Sequence, residues 1–250
     1  AYHRVVPDSN DPLAVSPSRF RSQLAYLRAK GLRNVVLDES TVDQALDAKP
    51  GSYAITFDDG YTDNYIHAWP ILQELGLRAS IFVCTGYLGS ADPFPWWKSH
   101  SNDPGPDDLP LTKTQLREMA DGGVFSVGSH SISHRNLTTL TPEVCLQELT
   151  HSRTTLEDLL GRRVEGFCYP RGDLERDTVQ QVEEAGYKFG VVTPPRFIQH
   201  GRNTLIRVGV YSTTTHWRFR VKASRAFQQL QRSRKAWMVR TPLRRLVSFG

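Results

Sequence analysis

The sequence predicts an α/β fold, either a (β/α) barrel or a doubly wound sheet, in which short strands alternate with helices. Three observations carry that expectation. At least six short apolar runs alternate with segments of helical period. A chain of 250 residues with 39% hydrophobic content is long enough to bury one substantial core. No internal repeat, low-complexity stretch or interdomain linker interrupts the pattern. In either fold, chemistry belongs at the C-terminal ends of the strands.

The elements follow in order. Residues 17–30 put Phe20, Leu24 and Leu27 on one helical face, with Pro17 suited to the first helical position after Ser16 and Gly31 suited to the stop. Residues 34–37 and 52–57 read as strands. A helix then runs through Ile66, Leu72 and Leu75 to Gly76, with Pro70 as a candidate kink. After a strand at 79–83, residues 86–110 are too rich in Gly, Pro and Asp for regular structure, and loops of that length are usually functional. Thr112 and Gln115 have capping-box spacing for a helix over 112–120, which leads into a strand at 124–128. Thr141, Pro142 and Glu143 open a helix that closes near Gly161. A strand at 166–169, a helix over 175–185 and a strand at 189–193 complete the alternation.

Charge divides the chain. The net +5 arises from residues 216–250, which hold ten Lys or Arg and no Asp or Glu; residues 1–215 carry 21 basic against 26 acidic groups. The expected organisation is therefore a catalytic domain over 1–215 and a basic helical extension over 216–250. Arg mixed with Phe227, Leu230, Trp237 and Leu243 suits either a helix packed on the domain or contact with an anionic membrane surface. Nucleic acid is not expected as a partner, because no binding motif accompanies the charge. Cys84, Cys145 and Cys168 are widely spaced and form no CxxC pair, so neither a disulfide framework nor a cysteine zinc site is indicated and a reducing compartment is mildly favoured. With no apolar run near the roughly 18 residues of a membrane span and a polar first segment, a cytoplasmic or membrane-peripheral location is the expectation.

Two constellations sit at strand ends. In Thr56-Phe57-Asp58-Asp59-Gly60 an apolar strand stops at adjacent carboxylates; an Asp-Gly turn and a metal ligand beside a proton acceptor both fit that pattern. In His130-Ser131-Ile132-Ser133-His134 a four-residue spacing can bring two imidazoles to one side of a helical turn, as in HExxH, but without the glutamate base. Two satisfied loop histidines are the alternative. A His2Asp set leaves coordination positions open for water and a carbonyl, which is hydrolytic chemistry. His3 is the candidate acid, or else an exposed terminal residue.

The pair TFDDG and HSISH resembles the first two motifs of the polysaccharide deacetylases, the NodB-homology or carbohydrate esterase family 4 enzymes, over most of residues 1–215. The resemblance implies a distorted (β/α) barrel of about seven strands and a divalent metal, usually zinc. It makes Asp58 the base and Asp59, His130 and His134 the ligands, with an N-acetylated bacterial glycan, polymeric or lipid-linked, as substrate. Tyr2-His3-Arg4-Val5 is similar to the N-terminal segment of the circularly permuted, exopolysaccharide-modifying branch, where a Tyr-His replaces the late histidine motif, so His3 becomes the implied acid. Phe167-Cys168-Tyr169-Pro170-Arg171-Gly172 resembles the third motif, with Cys168 at the usual arginine and Arg171 at the usual tyrosine. Arg171 and its backbone are then expected to steady the base and serve the oxyanion, with Tyr169 and Pro170 beside the substrate. Trp96-Trp97 matches a Trp pair of that branch, as sugar platforms or as anchors of the long loop.

Two rivals remain. Fe(II) oxygenases also use two histidines and a carboxylate, but their local His-x-Asp order is missing here. A catalytically silent glycan-binding protein is the other, left open by the altered third motif.

Overall fold

The computed structural model describes residues 1–7, 10–46, 51–97 and 104–233. β1 (Arg4–Val5) pairs with β2 (Ala14–Val15), and after α1 (Pro17–Ala29), β3 (Arg33–Val35) pairs with β4 (Ser52–Ala54) across α2 (Val42–Leu46). β5 (Thr56–Phe57), α3 (Trp69–Leu75), β6 (Ala79–Val83), α4 (Lys113–Asp121), β7 (Phe125–Ser129), α5 (Pro142–Leu160), β8 (Gly166–Cys168), α6 (Arg176–Glu184), β9 (Phe189–Val192) and β10 (Leu205–Ile206) then alternate. The six strands β5 to β10 form one curled, fully parallel sheet, each hydrogen-bonded to the next. Because βα crossovers lay helices along its outer face, both faces of the sheet are buried.

Two residues occupy the gap beside β5. Tyr2 N donates to Thr56 O and Asp58 N to Tyr2 O, while Ala1 N donates to Val208 O and Val210 N to Ala1 O. The dipeptide thus makes a seventh stave linking β5 to the chain beyond β10. Tyr2 is fixed by a 2.9 Å hydrogen bond from its hydroxyl to Gln23 on α1 and by rings of Phe20 and Phe57 at 5.0 and 5.8 Å. Arg4, 2% exposed, bonds Asp63, Asp11 and Asp108. One buried guanidinium therefore ties the segment carrying His3 to the turn after β5 and to the long loop.

Strand parity decides what points inward. Phe82, Cys168, Phe189, Val191 and Leu205 share one cluster inside the curl, while Ile81, Val83, Phe125 and Phe167 pack under the helices. Room for the inner rings comes from glycine: a Cβ on Gly128 would lie 2.4 Å from the Phe82 ring, and one on Gly166 2.5 Å from that of Phe189. Continued past the strand ends, the inward parity points to Asp58, His130 and Arg207.

Several boundaries depart from the sequence expectation. The strand expected over 52–57 divides at Ile55, whose carbonyl accepts from Ser80 and draws the second half onto β6 while the first stays with β3. Pro70 sits in a continuous helical run, just after a π-helical turn over Asn64–Ala68 whose widened ladder, with Trp69 N bonded to Asn64 O, accommodates the ring and the missing N–H. α7 (His216–Lys222) packs on α1 through Phe219, whose ring meets Tyr26 edge-on at 6.3 Å, and α8 (Arg225–Arg232) follows. The first helix of the basic extension is thus packed on the domain. The rest of the basic extension, residues 234–250, lies outside the described residues.

Truncating Tyr2 to Ala removes a buried aromatic and the stave's anchor. Tyr2→Ala is expected to cost about 3–5 kcal/mol in urea unfolding, and a loss within about 0.5 kcal/mol, the scale of surface substitutions, would contradict the stave assignment.

Candidate active site

β5 ends in a backbone that sends adjacent carboxylates apart. Asp59 adopts φ 71° and Gly60 φ 93°. The first is a left-handed conformation that costs a non-glycine residue about 1–2 kcal/mol. It is held by Cys84 N donating to Asp59 O and Leu111 N to Gly60 O. At Gly60 a Cβ would meet Val83 Cγ1 at 2.9 Å, so glycine is required by space as well as by φ.

Asp58, 3% exposed, receives a two-pronged contact from Arg207, 2.8 Å to Oδ1 and 2.7 Å to Oδ2. Burial alone opposes its charge, but the guanidinium prevails and holds the carboxyl well below the usual carboxylate range. Arg207 also donates to Thr56 Oγ1 at 2.9 Å and to Cys168 Sγ at 3.1 Å. The group that steadies Asp58 is thus Arg207, from just after β10, and not Arg171. The expectation at Arg171 is corrected for a geometric reason: Cys168, where the resembled family has arginine, is small enough to leave its space to a guanidinium from the chain after β10, two strands along the sheet.

Asp59 faces the other way. Its Oδ1 lies 3.5 Å from His130 Nε2 and 3.6 Å from His134 Nε2, and is buried without a hydrogen-bond partner. Burial and the charge of Asp58 push its carboxyl up to about 8. Burial lowers both histidines, His134 to about 3, so each imidazole is neutral with a lone pair to offer. His130 Nδ1 lies 2.7 Å from Cys168 O, which as acceptor fixes the proton on Nδ1 and leaves Nε2 bare towards Asp59. Residues 130–134 are not the helical turn expected from their spacing. Ser131 (φ 65°) and His134 (φ 57°) are both left-handed, and Ser129 and Ser131 hydroxyls accept from the N–H groups of Ser131 and His134.

The donors of Asp59, His130 and His134 lie within 4.8 Å of one another, a borderline-hard N2O set that fits zinc or a similar divalent ion. Asp58, His130 and Cys168 also cluster, but Arg207 already bonds both Asp58 and Cys168, and its charge opposes a cation there. His3 Nε2 is 3.9 Å from Asp58 Oδ2, and burial lowers it to about 4 against the pull of Asp58. All five residues singled out for chemistry therefore meet at one place.

The residues expected at the substrate are placed differently from one another. Trp96 lies against His134, ring centroids 4.3 Å apart, and stacks on Phe94 at 4.8 Å; Trp97 packs on the same cluster, which closes over Tyr61. Both rings anchor the long loop on this cluster and both stay only half-buried. Tyr169 is 1% exposed with its ring against Phe167, and Pro170 is buried, so neither presents a side chain for a sugar; strand parity turns Tyr169 outward under the helices, where a substrate has no access. Arg171 is exposed at the rim in a left-handed conformation.

Residues 45–190 match the family model for polysaccharide deacetylases. YxkH of Bacillus subtilis, assigned by its name to the polysaccharide deacetylases, is 32% identical over 196 residues, 78% of this chain and 63% of that protein. The poly-β-1,6-N-acetyl-D-glucosamine N-deacetylase of Staphylococcus aureus (strain MRSA252) is 25% identical over 71% of this chain and 60% of its own. The chain thus spans about three fifths of the length of these curated relatives. Among solved structures, the Streptococcus pyogenes deacetylase PplD superposes with a TM-score of 0.73 at 26% identity, covering 89% of this chain and 96% of that one.

Arg207→Ala leaves Asp58 buried without its partner and is expected to cost about 3–5 kcal/mol in urea unfolding. Arg207→Lys should recover only part of that, because an ammonium cannot make the planar two-pronged contact. A lysine variant as stable as the parent would contradict the role given to the guanidinium.

Proposed function

The chain belongs to the polysaccharide deacetylase family, and on that premise we propose that it hydrolyses N-acetyl groups from sugars of a bacterial polysaccharide or its lipid-linked precursor, with a divalent ion, zinc by its donor set. The carrying observation is the division of two adjacent carboxylates, Asp59 towards two neutral imidazoles and Asp58 towards Arg207 and His3. When bound by Asp59, His130 and His134, such an ion supplies polarisation of an acetamide carbonyl and acidification of water.

The chain's own residues supply the proton handling. Asp58, ionised and oriented by Arg207, accepts the proton of the attacking water. His3, neutral in the resting site, takes that proton across the 3.9 Å separating it from Asp58 Oδ2 and delivers it to the departing amine. Each such participation contributes about 10²- to 10⁴-fold. An N-terminal histidine beside Asp58 supports the part that a Tyr-His segment plays in the permuted branch. The departure at Cys168, which left a silent glycan-binding protein open, is offset by Arg207, so the base, the acid and the three ligands each have an occupant. The aromatic cluster of Phe94 and Trp96 walls one side of His134.

The purified protein with zinc is expected to release acetate from N-acetylglucosamine oligomers, and a chelator to stop it. Asp58→Asn should lower turnover at least about 100-fold with zinc still bound, whereas His130→Ala should lose zinc. Equal loss of zinc from both variants would contradict the division of labour.

A further inference from the structure

α5 carries a glutamate where its amphipathic pattern calls for a hydrophobe. Cys145, Leu149, Ser152 and Leu156 form the buried face of the helix, and Glu148 lies on that same face, 7% exposed. A carboxylate in such a place needs donors for both oxygens. It finds three, all in the turn between the two histidines: Glu148 Oε2 accepts from Ile132 N at 2.9 Å and Ser133 N at 3.0 Å, and Oε1 accepts from the Ser133 hydroxyl at 2.6 Å.

The same turn is gripped from its other side. Thr85 N donates to Ser131 O at 3.1 Å and Gly86 N to Ile132 O at 2.9 Å, and a Cβ on Gly86 would stand 2.8 Å from Ile132 O. Carbonyls are thus held by the chain after β6 and N–H groups by Glu148. Between these grips the backbone keeps Ser131 and His134 left-handed, a shape two non-glycine residues do not retain unless their surroundings impose it. Losing the Glu148 grip on Ile132 and Ser133 frees Ser131 and His134, on either side of them, to relax towards ordinary φ. His134 Nε2 then swings away from Asp59 Oδ1, while His130, fixed independently by Cys168 O, stays.

We propose that Glu148 is a positioning residue for the metal site, fixing the His130–His134 spacing through the peptide groups between them. The inference rests on the metal reading of Asp59, His130 and His134. Outer-shell groups of this kind alter metal affinity by about 10- to 100-fold when removed.

The test is zinc affinity of the full chain by chelator competition, with the visible spectrum of the cobalt-substituted protein and the unfolding temperature with and without zinc. Glu148→Ala is expected to bind zinc about 10- to 100-fold more weakly, to gain less in unfolding temperature from zinc, and to show an altered cobalt spectrum. Glu148→Gln should stay close to the parent in all three, because its amide oxygen can accept from both N–H groups and its NH2 can donate to Ser133. Should the alanine variant not fold, Glu148→Asp, which withdraws the carboxylate by one methylene at unchanged charge, is expected to weaken zinc in the same direction. A purely structural role would lower the unfolding temperature of apo and zinc-loaded protein alike and leave affinity and spectrum unmoved, which overturns the proposal. So does a glutamine variant as impaired as alanine. Failure of the parent to bind zinc at all would overturn the metal reading itself, a result distinct from equal zinc binding by parent and alanine variant.

Discussion

Two carboxylates on consecutive residues, both buried, repel each other strongly, and the site exists because the backbone and a single guanidinium keep them apart. Left-handed φ at Asp59 turns its side chain to the imidazoles, and the two-pronged contact from Arg207 draws Asp58 to the opposite side. Their environments then drive the pair in opposite directions: Asp58 is held ionised, while Asp59 is pushed up to about 8 and calls for a cation. Separation of this kind between neighbouring titratable groups is how one site obtains a ligand and a base from the same residue type.

The fold delivers that separation through strand parity and closure. Asp58, His130 and Arg207 extend three strands, β5, β7 and β10, that lie far apart in sequence and converge only because the sheet curls. His3 arrives on the Ala1-Tyr2 stave, which bridges the two sides of the curl and is locked by Arg4. Strain concentrates at Asp59, Ser131, His134 and Arg171, the only non-glycine residues of positive φ among those described, and all four border the site.

The chemistry-bearing residues were legible in the sequence where they sit in contiguous motifs at strand ends. Asp58-Asp59-Gly60 and His130 to His134 announce themselves by residue type and spacing, and helix caps such as Thr112 with Gln115 form as expected. Arg207 was not legible, since its partners lie 149 and 39 residues away and β10 is only two residues long. The one available signal was the cysteine standing where the resembled motif has arginine. Tyr169 was misplaced because a motif gives residue order but not the face of the strand, and parity sends Cys168 inward and Tyr169 under the helices. Likewise the break at Ile55 depends on which neighbour each half-strand finds, a tertiary fact absent from local pattern.

X-ray absorption at the zinc edge of the zinc-loaded protein distinguishes the two clusters that could hold the ion. One ion is expected, with a shell of nitrogen and oxygen at about 2.0–2.2 Å and no sulfur, unchanged in Asp58→Asn. A sulfur neighbour at about 2.3 Å would instead place the ion between Asp58, His130 and Cys168 and contradict the assignment of the two aspartates.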